Sequence, residues 1–145
     1  MVHCPTEFLS SSPEETENFG EQISRILKPG SVIALQGCLG AGKTCLVKGI
    51  ARGLGINEII TSPTYTIINE YNGNCPLYHI DAYRLAGDDD FRSTGAGEYI
   101  GSRGLTVIEW SERIPKSIPE NSVKISIEIT GTQNRVLHIE GMENT

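Results

Sequence analysis

The octapeptide Gly37-Cys38-Leu39-Gly40-Ala41-Gly42-Lys43-Thr44 constrains this chain more than any other feature. It satisfies the pattern G-x-x-x-x-G-K-[ST] at every specified position. Glycines at Gly37, Gly40 and Gly42 let backbone amides approach an anion without a side-chain clash. A helix that starts directly after such a loop adds free N–H groups and the positive end of its dipole. Lys43 is then placed to reach the β- and γ-phosphates of a nucleotide, and the Thr44 hydroxyl to ligate magnesium. The flanks agree with this reading. Val32, Ile33, Ala34 and Leu35 form a short apolar run suited to a buried strand, and Leu46, Val47 and Ile50 give the following segment one apolar helical face. The motif therefore predicts a site for ATP or ADP with Mg2+.

Such a site needs an acid at the end of a neighbouring strand, to hold magnesium through water, and open α/β sheets bind ligands at strand carboxyl ends. Two residues qualify. Glu109 ends the apolar run Leu105-Thr106-Val107-Ile108, and Asp81 ends the less apolar run Leu77-Tyr78-His79-Ile80. Glu109 is expected deep beside the loop, and Asp81 on a more open rim. His79 reads as a packed strand residue, Trp110 as a core or interface residue, and Asp88-Asp89-Asp90 as a solvated helix start.

The remaining pattern completes an α/β domain. Glu7 to Ser10 reads as a short strand. Ser12, Pro13 and Glu15 form a capping box opening a helix with Phe19, Ile23, Ile26 and Leu27 on one face, ended by Pro29-Gly30. Tyr65 to Tyr71 and Leu77 to Asp81 read as strands joined at Asn72-Gly73. Gly87 to Gly104 reads as a short helix with loops. Val123, Ile125, Ile127 and Ile129 alternate along a strand that turns at Gly131 to Asn134 into a second one, Arg135 to Ile139. Strand–helix units together with hairpins predict a P-loop NTPase-like, three-layer fold: a mixed parallel and antiparallel sheet flanked by helices, in a single domain spanning residues 1–145.

Charge and cysteines narrow the function classes. With 12 Lys and Arg against 18 Asp and Glu, the net charge is -6, which argues against tight binding of nucleic acid by this chain alone. Cys4, Cys38, Cys45 and Cys75 form no Cys-x-x-Cys pair, so zinc is not expected. The first residues lack the basic and apolar pattern of a signal peptide, and no apolar stretch approaches a membrane span. A cytoplasmic protein with reduced thiols is the expectation.

Several motifs in order then carry a family resemblance: Leu39-Gly40-Ala41-Gly42-Lys43-Thr44, Ser62-Pro63-Thr64-Tyr65-Thr66, Tyr78-His79-Ile80-Asp81-Ala82-Tyr83-Arg84-Leu85 and Ile108-Glu109-Trp110. Together they resemble TsaE, the bacterial ATPase of tRNA threonylcarbamoyladenosine biosynthesis, over nearly the whole chain. The resemblance implies weak intrinsic ATP hydrolysis and partnership with the TsaD and TsaB proteins, which carry the transferase site. tRNA would be met only through that complex, and no membrane is involved. It implies phosphate and magnesium binding by Lys43 and Thr44, Glu109 as the magnesium-side acid, and Asp81 as a water-orienting or switch residue. Thr61 to Thr64 resembles a switch loop, with Thr64 among the nucleotide contacts. Cys38, Leu39, Ala41 and Cys45 complete the loop's contacts, Trp110 sits beside the site, and Ser11 and Arg135 lie near the base. Two positions depart from the family: Cys38 stands where Asp is usual, and Asp90-Phe91-Arg92 where a Glu-Leu-Glu pattern is usual.

Two other classes compete. A P-loop kinase for small molecules usually adds an arginine-rich lid, whereas Gly87 to Gly104 offers only Arg92 and Arg103. A nucleotide-dependent binding module without relevant hydrolysis is the third.

Overall fold

The computed structural model describes residues 6–63 and 67–142. Among the described residues seven strands form one sheet. In chain order they are β1 (Glu7–Ser10), β2 (Val32–Gln36), β3 (Ile68–Asn72), β4 (Pro76–Asp81), β5 (Leu105–Glu109), β6 (Val123–Ile129) and β7 (Arg135–Glu140). The helices are α1 (Pro13–Ile26), α2 (Lys43–Gly53) and α3 (Asp88–Thr94). The sheet runs β1-β7-β6-β2-β5-β4-β3. Its centre, β6-β2-β5-β4, is parallel; β3 and β7 run antiparallel to it, and β1, paired antiparallel with β7, runs with it again. The parallel strands β2 and β5 are buried on both faces, which is why they read as unbroken apolar runs.

One face is covered by α1 and α2. Ile33, Leu35, Leu77, Val107, Ile125 and Leu137 pack there against Phe19, Ile23, Leu46 and Ile50. The opposite face buries Val32, Ile80, Ile108, Ile114 and Phe91, the last being the anchor of α3. Helices α1 and α2 approach so closely that a Cβ on Gly49 would stand 1.9 Å from the Glu17 carbonyl oxygen. One on Gly20 would stand 2.5 Å from that of Leu46. Arg52 ties the same pair of helices through Glu21 (3.0 Å) and Asn18 (2.8 Å).

The capping box at α1 forms with one shift. Ser12 Oγ accepts from the Glu15 N–H at 3.1 Å, but the Glu15 carboxylate reaches back to the N–H and hydroxyl of Ser11 instead of Ser12. The β3 strand starts at Ile68, later than its apolar pattern suggests; Tyr65 and Thr66 lie outside the described residues. Its hairpin turns over Gly73 to Cys75, since Asn72 still pairs with Pro76. Gly73 is needed there for close approach: a Cβ would lie 2.4 Å from the Leu54 carbonyl oxygen. On β6, Val123, Ile125 and Ile127 are buried as the alternation requires, whereas Ile129 is exposed where the strand runs out past the core. No helix among the described residues is long and apolar enough to cross a membrane.

Candidate functional site

The glycine-rich loop joins β2 to α2 at the carboxyl end of the parallel strands, beside the point where the chain passes to either side of β2. Its backbone depends on glycine. Gly40 has φ 80° and Gly42 φ 106°, both in the left-handed region, and Gly42 is the N-cap of α2. Open space surrounds the positions a Cβ would take on both. The first turn of α2 leaves backbone N–H groups without helical partners, so the loop and helix start form a concave set of donors.

Lys43 is the first residue of α2 and is only 6% exposed. Its ammonium donates to the carbonyl oxygens of Gly37 and, at 3.4 Å, Cys38. Its Nζ also sits 3.8 Å from the centroid of the Trp110 ring. Burial pulls the lysine below its ordinary pKa, partly offset by the negative field of Glu109, Glu112 and Asp81. An ammonium desolvated in this way, whose hydrogen bonds among the described residues go to backbone carbonyls, could exchange them for an incoming phosphate. Thr44 follows, its hydroxyl 3.2 Å from that of Ser62, so the Thr61–Pro63 segment reaches the helix start. The segment is braced from β3: Asn69 donates to the Thr61 carbonyl at 3.2 Å, and Tyr71 meets both polar backbone atoms of Thr61. Thr64, expected here, lies outside the described residues.

Sheet register brings the two acids together. Glu109 is level with Leu35 on one side and Asp81 on the other, so both carboxylates emerge on the face that α2 covers. They differ in setting. Glu109 is 3% exposed and its Oε2 is hydrogen-bonded to Nε2 of fully buried His79. Asp81 is half-buried, and its Oδ1 accepts the Tyr83 N–H at 2.9 Å. Burial holds the Asp81 carboxyl above the ordinary carboxylate range, with Glu109 adding to the rise; the Tyr83 N–H, His79 and Lys43 act the other way. No three His, Cys, Asp or Glu side chains among the described residues stand together as a metal cage. A magnesium ion held by Thr44 directly and by Glu109 through water would draw its remaining ligands from water and phosphate, as this ion commonly does.

Trp110 has φ 58°, the one non-glycine residue in the left-handed region among those described. Such a conformation costs about 1–2 kcal/mol and concentrates at functional sites. Here it turns the ring over Lys43, where Tyr83 packs on it (centroids 4.9 Å apart) and Arg113 lies 5.2 Å from the Tyr83 centroid.

On the other side of the loop lies a cavity of about 270 Å³ lined by Ser12, Thr16, Ala41, Cys45, Gln133 and Arg135, among others. Arg135 donates to the carbonyls of Ala41 (3.0 Å) and Gly40 (3.2 Å), so β7 braces the loop. Ser11 is exposed, its hydroxyl engaged by Glu15; its neighbour Ser12 is the one that lines the cavity. Cys38 and Leu39 are exposed at the loop's tip.

Local sequence did not reveal the Glu109–His79 pair, the Ser62–Thr44 contact, the Tyr83–Trp110–Arg113 stack or the Thr16 and Gln133 walls. A signal existed for the first: His79 lies two residues before Asp81 on one strand, hence on the same face as both acids.

An α/β, P-loop-like fold carrying a glycine-rich loop at the carboxyl end of its central strand defines the class. Comparison with known proteins narrows it. Residues 10–137 match the family model described as threonylcarbamoyl adenosine biosynthesis protein TsaE. A Treponema pallidum protein named tRNA threonylcarbamoyladenosine biosynthesis protein TsaE is 47% identical over 131 residues, covering 90% of this chain and 97% of that one. A Bacillus subtilis protein of the same name is 41% identical over 134 residues, covering 92% and 84%. The crystal structure of Bacillus subtilis YdiB superposes with a TM-score of 0.78 at 38% identity, over 92% of this chain and 82% of that one. The chain belongs to the TsaE family of tRNA threonylcarbamoyladenosine biosynthesis.

Proposed function

We propose that this protein binds ATP with Mg2+ and hydrolyses it slowly to ADP and phosphate, supporting turnover of a TsaD–TsaB transferase complex without itself transferring the threonylcarbamoyl group. One observation carries the reading: the Gly37–Thr44 loop opens α2 with a desolvated Lys43, and register sets Asp81 and Glu109 side by side next to it. Lys43 and the loop amides would hold the phosphates, and the cavity beside Arg135 would take the base. Thr44 directly, and Glu109 through water, would hold Mg2+, which supplies neutralisation of charge on the phosphate oxygens. Asp81, on the rim, would orient the attacking water and accept its proton as the bond to the terminal phosphorus forms and the bridging bond breaks. tRNA would be met only through the complex, in keeping with the net charge of -6. The cytoplasm is the proposed location.

A kinase for small molecules is the alternative. Its lid would have to come from the Gly87–Gly104 segment, yet that segment is fastened to the opposite core by Phe91, and Arg92 is paired with Asp89. Single-turnover ATP hydrolysis with and without TsaB and TsaD separates the readings. Hydrolysis to ADP and phosphate that is slow alone and faster with both partners is expected; phosphoryl transfer to a small acceptor, or no response to the partners, would overturn the proposal.

A further inference from the structure

We infer that His79 is a positioning residue for Glu109, holding one carboxylate oxygen so that the other is presented to the loop; this rests on the proposed role of Glu109 in magnesium binding.

The observations concern a buried polar pair. His79 is fully buried in the middle of β4, a position where a strand ordinarily carries an apolar side chain. Its Nε2 meets Oε2 of Glu109, whereas its Nδ1 is buried with no hydrogen-bond partner among the described residues. A strand residue retained only for packing has no use for a ring nitrogen left bare, and a buried polar group without a partner costs about 1–3 kcal/mol. The bond on Nε2 must therefore be worth the placement.

The orphaned Nδ1 also fixes the tautomer. A buried N–H without an acceptor is rarer and costlier than a bare lone pair, so the ring carries its hydrogen on Nε2 and donates it to the carboxylate. The bond therefore runs from the ring N–H to the glutamate oxygen. His79 and Glu109 lie on adjacent parallel strands, so the bond also fixes the glutamate rotamer against a rigid sheet. The field of Glu109 is felt by both Lys43 and Asp81, so the carboxylate that His79 holds lies within reach of the loop's lysine and of the second acid. Hydrogen bonds behind an ion's direct ligands are worth about 10–100-fold in metal affinity, and for Glu109, which acts through water, the lower end of that range applies.

The test measures ADP affinity of the full chain by calorimetry with Mg2+ and with chelator, and takes the ratio. His79→Leu removes the donor and keeps the volume; His79→Gln returns a donor near the Nε2 position. His79→Leu is expected to cut the Mg2+ ratio by about tenfold, with chelator-state affinity near wild type and with His79→Gln restoring most of the ratio. Glu109→Gln is expected to lose the ratio as well, and the double variant H79L/E109Q to lose no more than E109Q. A His79→Leu protein with the wild-type ratio, alongside an E109Q that has lost it, overturns the inference and leaves Glu109's role standing. An E109Q that keeps the ratio overturns that role and the inference together. Should His79→Leu not fold, His79→Asn serves, since its amide nitrogen sits at the Nδ1 position and falls short of Glu109. Nitrogen NMR of histidine-labelled protein gives a readout free of nucleotide: a His79 with its proton on Nε2 is expected, and one with its proton on Nδ1 overturns the inference.

Discussion

The ammonium of Lys43 lies against the face of Trp110, 3.8 Å from the ring centroid, while donating to carbonyls of its own loop. A cation on an indole face gains about 0.5–2 kcal/mol, most when desolvated. A phosphate bound as proposed would have to draw the lysine from these partners. Because Trp110 is the chain's one tryptophan, its emission reports the event directly. Adding ATP and Mg2+ is expected to change tryptophan emission, and Lys43→Ala to abolish the change and weaken affinity at least about tenfold, the scale of one charge-assisted hydrogen bond. Titration of both proteins checks this; affinity within a few-fold of wild type in the alanine variant counts against the site.

The two acids divide by depth. Glu109→Ala is expected to weaken Mg2+-dependent nucleotide binding. Asp81→Asn is expected to leave binding nearly intact and to slow partner-stimulated hydrolysis by about 10²-fold or more, the usual range for a general base. Magnesium titrations and hydrolysis assays on both variants decide the matter, and the reverse pattern exchanges the roles.

Asp81 also makes a prediction about stability. Burial raises its folded pKa above the unfolded value. Its contribution to stability is therefore intact below the unfolded pKa, about 3.9, and is lost as pH rises through the folded one. Near neutral pH the ionised side chain is a net cost. Asp81→Asn keeps an acceptor for the Tyr83 N–H and removes that cost. Its melting temperature is expected to exceed wild type at pH 7, with the difference closing as pH falls towards 4. Thermal melts across that range give the answer; equal stability at neutral pH contradicts it.

Gly49→Ala should destabilise although alanine is the better helix former by about 1 kcal/mol. Its methyl would fall 1.9 Å from the Glu17 carbonyl oxygen, so α1 must move away. Overpacking of this kind costs about 1–3 kcal/mol, and chemical denaturation is expected to show a net loss within that range. An alanine variant as stable as wild type would falsify the close packing of the two helices.

Much of this was written in local pattern. The loop, the α1 cap at Ser12 and the apolar strands on either side of β2 are short-range features, each set by propensity or periodicity. Asp81 and Glu109 could be nominated because each ends a strand. What local pattern does not contain is pairing. Nothing near His79 in sequence says that β4 will lie beside β5, 30 positions on, and nothing near Thr44 says that Ser62 will return to it. The shift of the capping carboxylate from Ser12 to Ser11, and the exposure of Ile129, likewise depend on where neighbouring elements end.

The tight seam at Gly20 and Gly49 has a mechanical consequence. Helix α1 begins at Ser12 and carries Thr16, both walls of the cavity; α2 begins at the glycine-rich loop. Two helices in backbone contact cannot slide or part without breaking that fit, so the wall on α1 and the loop on α2 behave as one fixed jaw. If the site takes a nucleotide as proposed, adjustment would fall to the parts outside that seam, among them the Thr61–Pro63 segment resting on Thr44 and the Trp110 ring resting on Lys43. A partner protein that presses on or withdraws these parts would govern the site without touching the fixed jaw.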